Sequence, residues 1–306
     1  MKHSKIAIIG AGIVGSTTAY ALLLKKVAAE IILVDINETR CHGEILDLSD
    51  AISFNGASQV RAGTAHDAAQ ADIIIISAGK AQKPGETRQE LFTANKTIIS
   101  DIFAAIKPIN SDAIIIMVTN PLDPLTLLAQ SLSALPHNQV FGTGTFLDTL
   151  RLHGIIAQKL NIAPTAINAY VLGEHGDSQF VAWSSAEIAG IPIADYKGIE
   201  KKDLELFAQQ VKDKAYEIIA CKGSTSFGIA TCVATMCEAI IFNQKIIMPF
   251  STYIQDYKIC LSMPAVLGEN GIEKILPIPL NNDEQNQLNH SIQQLQNLHS
   301  SSTHSN

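Results

Sequence analysis

Lys5-Ile6-Ala7-Ile8-Ile9 is a short apolar run that ends abruptly in Gly10-Ala11-Gly12-Ile13-Val14-Gly15. A helical pattern follows from Ser16 to Lys26. A second apolar run, Ile31 to Val34, is then closed by Asp35, 20 residues after Gly15. Strand, glycine turn, helix, strand and acid in this order constrain the fold more than any other stretch. They describe one β-α-β unit of a parallel sheet shaped to hold a dinucleotide. Gly10 makes the tight turn, Gly12 lets the backbone approach a pyrophosphate, and Gly15 lets helix and strand pack closely. The helix N-terminus faces the phosphates. Asp35 can accept hydrogen bonds from an adenosine ribose diol, and its charge opposes a 2′-phosphate, so NAD is expected rather than NADP. A glycine-rich turn without these flanks would be merely structural.

The alternation continues. Thr39 to Ala51 has helical spacing, and Asp72 to Ser77 contains four consecutive isoleucines, as a strand buried on both faces should. That strand ends in Ala78-Gly79, followed by the polar stretch Lys80 to Arg88 with Pro-Gly at its centre. Ligands of open α/β sheets bind at such strand ends, although composition alone would also fit a bland loop. A helix is expected from about Gln89 to Ile106. Ala113 to Val118 is the next strand, ending in Thr119-Asn120-Pro121, where the Asn is either a turn former or a cleft residue. Val140-Phe141-Gly142 closes the first lobe.

A long helix is expected from Thr145 to Leu160. On it Asp148 and Arg151 are three apart and share a face, as a surface ion pair or as groups directed into the cleft. Ala166 to Leu172 is β-like and leads to Gly173-Glu174-His175-Gly176-Asp177-Ser178. A histidine held between glycines is poorly placed for packing, and its ordinary pKa lies near neutrality. Trp183 to Ala189 looks helical. Lys201 to Ala220 is an amphipathic helix, interrupted by Gly223 to Gly228, and Ile229 to Phe242 forms a second, apolar helix. Short antiparallel strands are expected between Ile246 and Leu267, then a helix from Asp283 to Leu298 and a frayed end from His299 to Asn306.

The whole chain has 306 residues, 47% hydrophobic, with a net charge of −7. It can bury a large core in two lobes of one unit and carries no basic run suited to nucleic acid. No apolar run reaches membrane-spanning length, and no signal peptide is expected ahead of the first strand. Cys41, Cys221, Cys232, Cys237 and Cys260 form no CxxC pair, which favours reduced, mostly buried thiols in a cytoplasmic protein and no metal site.

Six ordered stretches carry a family likeness: GAGIVG at 10–15, LVDIN at 33–37, QKPGETR at 82–88, VTNPLD at 118–123, LDTLR at 147–151 and GEHGDS at 173–178. With them the chain resembles the L-lactate/malate dehydrogenase family over nearly its whole length, most of all its bacterial L-lactate branch. The resemblance implies a Rossmann-type parallel sheet domain that binds NAD, residues 1–143, followed by an α+β substrate domain, residues 144–306. It implies a fermentative, glycolysis-linked oxidoreductase acting on a small 2-oxo or 2-hydroxy acid, in a homo-oligomer, tetramer or dimer.

Residue by residue, the resemblance makes His175 the proton donor and acceptor, Asp148 the carboxylate that holds the imidazole, and Arg151 the fork that grips the substrate carboxylate. It makes Arg88 the lid arginine that polarises the carbonyl. It puts Asn120 and Gln82 at the substrate and Thr225 on the pocket wall. Cofactor contacts are implied for Gly10, Gly12, Ile13, Val14, Gly15, Asp35, Arg40, Gly79, Lys80, Ser100, Val118, Asn120 and Thr143. Malate enzymes of the family place an arginine where Gln82 stands, so Gln82 argues against malate. The stretch from Ser178 to Ser184 leaves an L-2-hydroxyisocaproate-type enzyme open. A non-enzymatic NAD-binding protein would be expected to lose His175, Asp148 or an arginine. Bacterial relatives that bind fructose 1,6-bisphosphate use an Arg and a His where this chain has His153 and Asn168, so little activation is expected.

Overall fold

The computed structural model describes residues 5–55, 58–82 and 85–303. The expectations placed on Met1 to Ser4, on Lys83 and Pro84 and on His304 to Asn306 lie outside the described residues. The first half alternates strand and helix: β1 (Lys5–Ile9), α1 (Ile13–Lys25), β2 (Glu30–Val34), α2 (Glu38–Asn55), β3 (Gln59–Ala62), α3 (Ala65–Ala69), β4 (Ile73–Ile76), α4 (Arg88–Ala105), β5 (Ile114–Met117), α5 (Leu122–Ser133) and β6 (Val140–Gly142). The second half is more mixed: α6 (Phe146–Leu160), β7 (Ile167–Asn168), β8 (Val171–Leu172), β9 (Phe180–Val181), β10 (Glu187–Ile188), β11 (Ile191–Pro192), α7 (Lys201–Lys222), α8 (Phe227–Ile241), β12 (Ile246–Ile254), β13 (Ile259–Gly268), β14 (Gly271–Ile275) and α9 (Asn282–Thr303).

The large sheet runs β14-β13-β12-β6-β5-β4-β1-β2-β3. Its last six strands are parallel, in the doubly wound order whose direction reverses between β1 and β4. The isoleucine-rich strands explain themselves by the two-residue period of a strand. Ile6 and Ile8, Ile73 and Ile75, Ile114 and Ile116 point into one core with α1, α2 and α8. Ala7 and Ile9, Ile74 and Ile76, Ile115 and Met117 point into the other, against α3, α4 and α5. All four residues of β4 are fully buried, so truncating Ile75 to Ala would cost about 2–5 kcal/mol.

Several expectations are corrected. Trp183 to Ala189 is not a helix: Trp183–Ser185 is one 3-10 turn, and Glu187–Ile188 is the strand β10 between β7 and β11. Trp183, Ala186 and Ile188 reach one core from a turn and a strand and not from one helical face. The strands between Ile246 and Leu267 are not short. They are two strands of 9 and 10 residues paired along their length, and the bridge Ser251–Gly142 joins them to the parallel sheet. The last helix does not stop at Leu298 but runs to Thr303, since neither Gly nor Pro follows to end it. The large sheet continues beyond β6 through β12, β13 and β14, and α8 packs against α1 in one core.

Candidate active site

The glycine turn is built as its residues suggest. Gly10 has φ +105°, a conformation that side chains avoid, and a Cβ there would also strike the Ala78 backbone. At Gly15 a Cβ would collide with the Gly10 carbonyl, so this glycine allows α1 to close on β1. Gly12, the N-cap of α1, has open space beside it and supplies no side chain to the first-turn N–H groups. Those amides and the positive end of a 13-residue helix suit a phosphate group. Asp35 lies at the end of β2. Its Oδ2 accepts from the Ala11 N–H at 2.7 Å and its Oδ1 from the Asn37 N–H at 2.8 Å. The carboxylate thus pins the glycine turn and keeps lone pairs for a further donor. Ile13 and Ile36 are exposed isoleucines at the ends of these elements, apolar surface against which a ring could lie. This set fits a dinucleotide.

The other expected cofactor positions are spread over the residues that follow β4, β5 and β6 and over helices α2 and α4. Gly79 follows β4, where a Cβ would collide with the Thr119 methyl. Val118 follows β5, and the buried Thr143 follows β6, its N–H bonded to the Met117 carbonyl at 3.0 Å. Ser100 is half-buried on α4. Arg40 is on the first turn of α2, 3.7 Å from Glu44 in a surface pair. Lys80 is exposed and pairs with Glu86 at 2.6 Å. A residue not expected here, Asn95 on α4, ties the two strand-end loops together. It is fully buried, accepts from the Lys80 N–H at 2.7 Å, and donates to the Lys80 and Asn120 carbonyls at 3.1 and 2.7 Å. The Asn120 residue itself is exposed.

Three distant segments meet at His175. Helix α6 brings Asp148 and Arg151 to one face. The Asp148 side chain is only 4% exposed; its Oδ1 accepts from Arg151 at 3.1 Å and its Oδ2 is 2.9 Å from His175 Nδ1. Burial would push the Asp148 carboxyl up, but the charge and hydrogen bond of His175, with Arg151, outweigh it and hold the group below its ordinary value. Burial would likewise push the imidazole down. The Asp148 charge and hydrogen bond, joined by the Asp123 charge, outweigh that and raise His175 above an ordinary histidine, against the opposing Arg151. Both shifts favour the ion pair. With Nδ1 facing the carboxylate, Nε2 is the nitrogen left for exchange of a proton.

The loop that carries His175 is fastened on every side. Gly173 has φ +89° and sits against Ser291 of α9. Ser291 Oγ accepts from the Glu174 N–H at 3.2 Å and donates to the Ser178 carbonyl at 2.7 Å. At Gly176 a Cβ would take the place of the Arg88 guanidinium, so the glycine admits a neighbour from the same chain. Arg88 is the first residue of α4, set there by a capping box in which Thr87 and Glu90 exchange hydrogen bonds. Its guanidinium is 2.9 Å from Glu174 and 3.5 Å from Asp177. Asp177 is held in turn by Tyr216 and Lys212 of α7. Gln82, exposed on the loop before α4, donates to the Glu86 carbonyl at 2.8 Å. Thr225 is half-buried between α7 and α8. A cavity of about 450 Å³ beside Arg88 is lined by Glu174, Asp177, Lys212 and His290. His175, Asp148 and Arg151 do not line it, so the reacting groups are not assigned to it.

Sequence reasoning missed Asp123. It follows Leu122 at the start of α5, is 1% exposed, accepts from Ser251 Oγ at 2.6 Å and accepts from the His175 backbone N–H at 2.7 Å. Its position inside VTNPLD was the only available signal; Ser251 lies 128 residues further on. Among the described residues no group of three or more His, Cys, Asp or Glu side chains could hold a metal ion. No helix among them is long and apolar enough to cross a membrane.

Known proteins match this arrangement throughout. Residues 4–142 match the family described as lactate/malate dehydrogenase, NAD binding domain, and residues 145–305 match the lactate/malate dehydrogenase, alpha/beta C-terminal domain. L-lactate dehydrogenase A of Rhizopus oryzae is 43% identical over 301 residues, 98% of this chain and 94% of the relative. The L-lactate dehydrogenase of Clostridium botulinum strain Loch Maree is 41% identical over 304 residues, 96% of this chain and 95% of the relative. The crystal structure of the minor L-lactate dehydrogenase from Enterococcus mundtii, in a ligand-bound form, superposes with a TM-score of 0.94 at 35% identity, covering 98% of this chain and 99% of that one. That of MGS-M5, a lactate dehydrogenase from a Medee basin deep-sea metagenome library, gives 0.93 at 36% identity, covering 97% and 98%.

Proposed function

The chain belongs to the lactate/malate dehydrogenase family, and from that premise we propose that it is an L-lactate dehydrogenase, catalysing the reversible NADH-dependent reduction of pyruvate to L-lactate. The observation that carries the reading is the buried Asp148 carboxylate bridging the His175 ring and Arg151. NADH, when bound, supplies a hydride to the carbonyl carbon of the 2-oxo acid. The residues to hold it are Gly10, Gly12, Ile13, Val14, Gly15, Asp35, Arg40, Gly79, Lys80, Ser100, Val118, Asn120 and Thr143.

The chain's own groups do the rest. His175, protonated, gives a proton from Nε2 to the carbonyl oxygen; neutral His175 takes it back from the hydroxyl in the reverse direction. Asp148 fixes the ring's orientation and stabilises the imidazolium. Arg151 spends one N–H on Asp148 and offers the remaining fork to the substrate carboxylate. Arg88, steadied by Glu174 and Asp177, has further N–H groups for the carbonyl oxygen. Asn120, Gln82 and Thr225 are the further residues we assign to the substrate.

Gln82 supports pyruvate over oxaloacetate. A second substrate carboxylate would meet a neutral amide, while Lys80 is engaged by Glu86. An unpaired charge in a closed site is costly. We assign residues 1–143 to cofactor binding and 144–306 to the substrate domain, in a cytoplasmic homo-oligomer. The test is His175→Asn, which should bind NADH as the wild type does and lose pyruvate reduction by about 10²–10⁴-fold, the usual size of acid–base catalysis. Turnover within tenfold of wild type would remove His175 from the mechanism.

A further inference from the structure

We propose that Asp123 is a second positioning carboxylate for His175, acting on its backbone and its charge while Asp148 acts on its ring. The proposal rests on the reading of His175 as the proton donor. Asp123 touches no reacting atom in that reading, yet it joins three parts of the fold. It stands on α5, accepts the hydroxyl of Ser251 on β12, and accepts the peptide N–H of His175 itself. Both of its oxygens are thus occupied by donors, one each.

A fold that needed only a spacer here would have no reason to bury a carboxylate. Asp123 is 1% exposed, and burial pushes its carboxyl up to about 6 against the lowering effect of its two hydrogen bonds. A peptide N–H and a hydroxyl donating to its two oxygens favour the carboxylate form, and its charge favours a positive His175. The charges that face this pair come from every side. Asp148 and Arg151 lie on α6, one favouring and one opposing the imidazolium. Glu174, on the histidine's own loop, raises Asp123 and is itself paired with Arg88 of α4. On β13 the Cys260 thiol, fully buried, is pushed up by burial and by the Asp123 charge, so it stays neutral and does not compete. With one cation, Arg151, set against two carboxylates, the balance at the imidazole is negative. Removing Asp123 would bring it to neutral.

The substitution Asp123→Asn separates charge from shape. The amide oxygen can still accept from the His175 N–H. The amide nitrogen can donate to Ser251 Oγ, because a hydroxyl also accepts. The loop therefore keeps its anchor while the charge is lost. The experiment is a ¹⁵N-histidine NMR titration of the full chain with NADH bound, the His175 signal being identified by its loss in His175→Asn. Alongside it, the pH profile of kcat/KM for pyruvate is recorded. We expect the His175 midpoint and the alkaline limb to fall together by about half to one pH unit in Asp123→Asn, as loss of a nearby charge implies. Ser251→Ala, which removes one hydrogen bond to the carboxylate, should shift both in the same direction by less. A purely structural role would lower kcat without moving the midpoint. A midpoint unmoved in Asp123→Asn overturns the proposal; should that variant not fold, an unmoved midpoint in Ser251→Ala does so. If His175→Asn itself retains turnover, the reading of the active site fails instead, and the two failures are told apart.

Discussion

Replacing Asp148 by Asn is the perturbation whose consequences the geometry defines most fully. The carboxylate receives two donors, His175 Nδ1 on one oxygen and Arg151 on the other. An amide has one accepting oxygen, so one of these donors loses its partner. If the amide nitrogen faces the ring, Nδ1 must accept, and the proton moves to Nε2 of a neutral imidazole. The site then holds the wrong form for giving a proton to a carbonyl. A hydrogen bond to a charged group contributes about 1.5–3 kcal/mol, and one pKa unit is about 1.4 kcal/mol, so His175 should fall by about one to two units. In the wild type the His175 pKa is raised above its ordinary value. Pyruvate reduction should therefore be full at low pH and be lost as pH rises through that raised midpoint. Lactate oxidation should behave in the opposite way. In the variant the loss begins at lower pH, and kcat/KM at the wild-type optimum should fall by about 10²–10⁴. NADH oxidation followed across about pH 5.5 to 9, with NADH affinity measured by fluorescence, separates chemistry from cofactor binding. An alkaline limb that stays in place, with less than a tenfold loss, would refute the reasoning.

Other expectations concern selectivity and regulation. Gln82→Arg should place a cation where a second substrate carboxylate would lie and move the ratio of kcat/KM from pyruvate towards oxaloacetate by orders of magnitude; an unmoved ratio would remove Gln82 as the selector. Asp35, already accepting two backbone N–H groups, should make NADH strongly preferred over NADPH, and equal kcat/KM for the two would contradict this. Fructose 1,6-bisphosphate should leave the KM for pyruvate nearly unchanged. His153 is buried, bonded through Nε2 to the Ala169 carbonyl and pushed down by burial, while Asn168 lies 3.3 Å from the Glu187 carboxylate, so neither offers a permanent cation. A large fall in KM on adding the bisphosphate would show otherwise.

Much of this architecture is local, which is why it was legible. Gly10, Gly12 and Gly15 between two strands, and Asp148 three residues before Arg151, are patterns whose consequences need no distant partner. The isoleucines of β4 announced burial on both faces. What stayed hidden depends on long-range pairing. Gln59–Ala62 is only four residues long, with Val60 its one bulky apolar side chain, so β3 is a strand because β2 pairs with it. The extension of the parallel sheet by β12 to β14 rests on one bridge, Ser251 to Gly142. The same Ser251 meets Asp123, and Ser291 meets Glu174, across more than 100 residues. Arg88 was expected as a lid arginine by likeness alone; its contacts with Glu174 and Asp177, and its place over Gly176, came only from the structure.

The most direct test is a comparison of kcat/KM for NADH-dependent reduction of pyruvate, oxaloacetate and 2-oxoisocaproate by the same preparation. With Arg151 for the shared carboxylate and the neutral Gln82 in the loop, pyruvate should be the preferred substrate. A higher value for oxaloacetate or 2-oxoisocaproate would contradict the assignment as an L-lactate dehydrogenase.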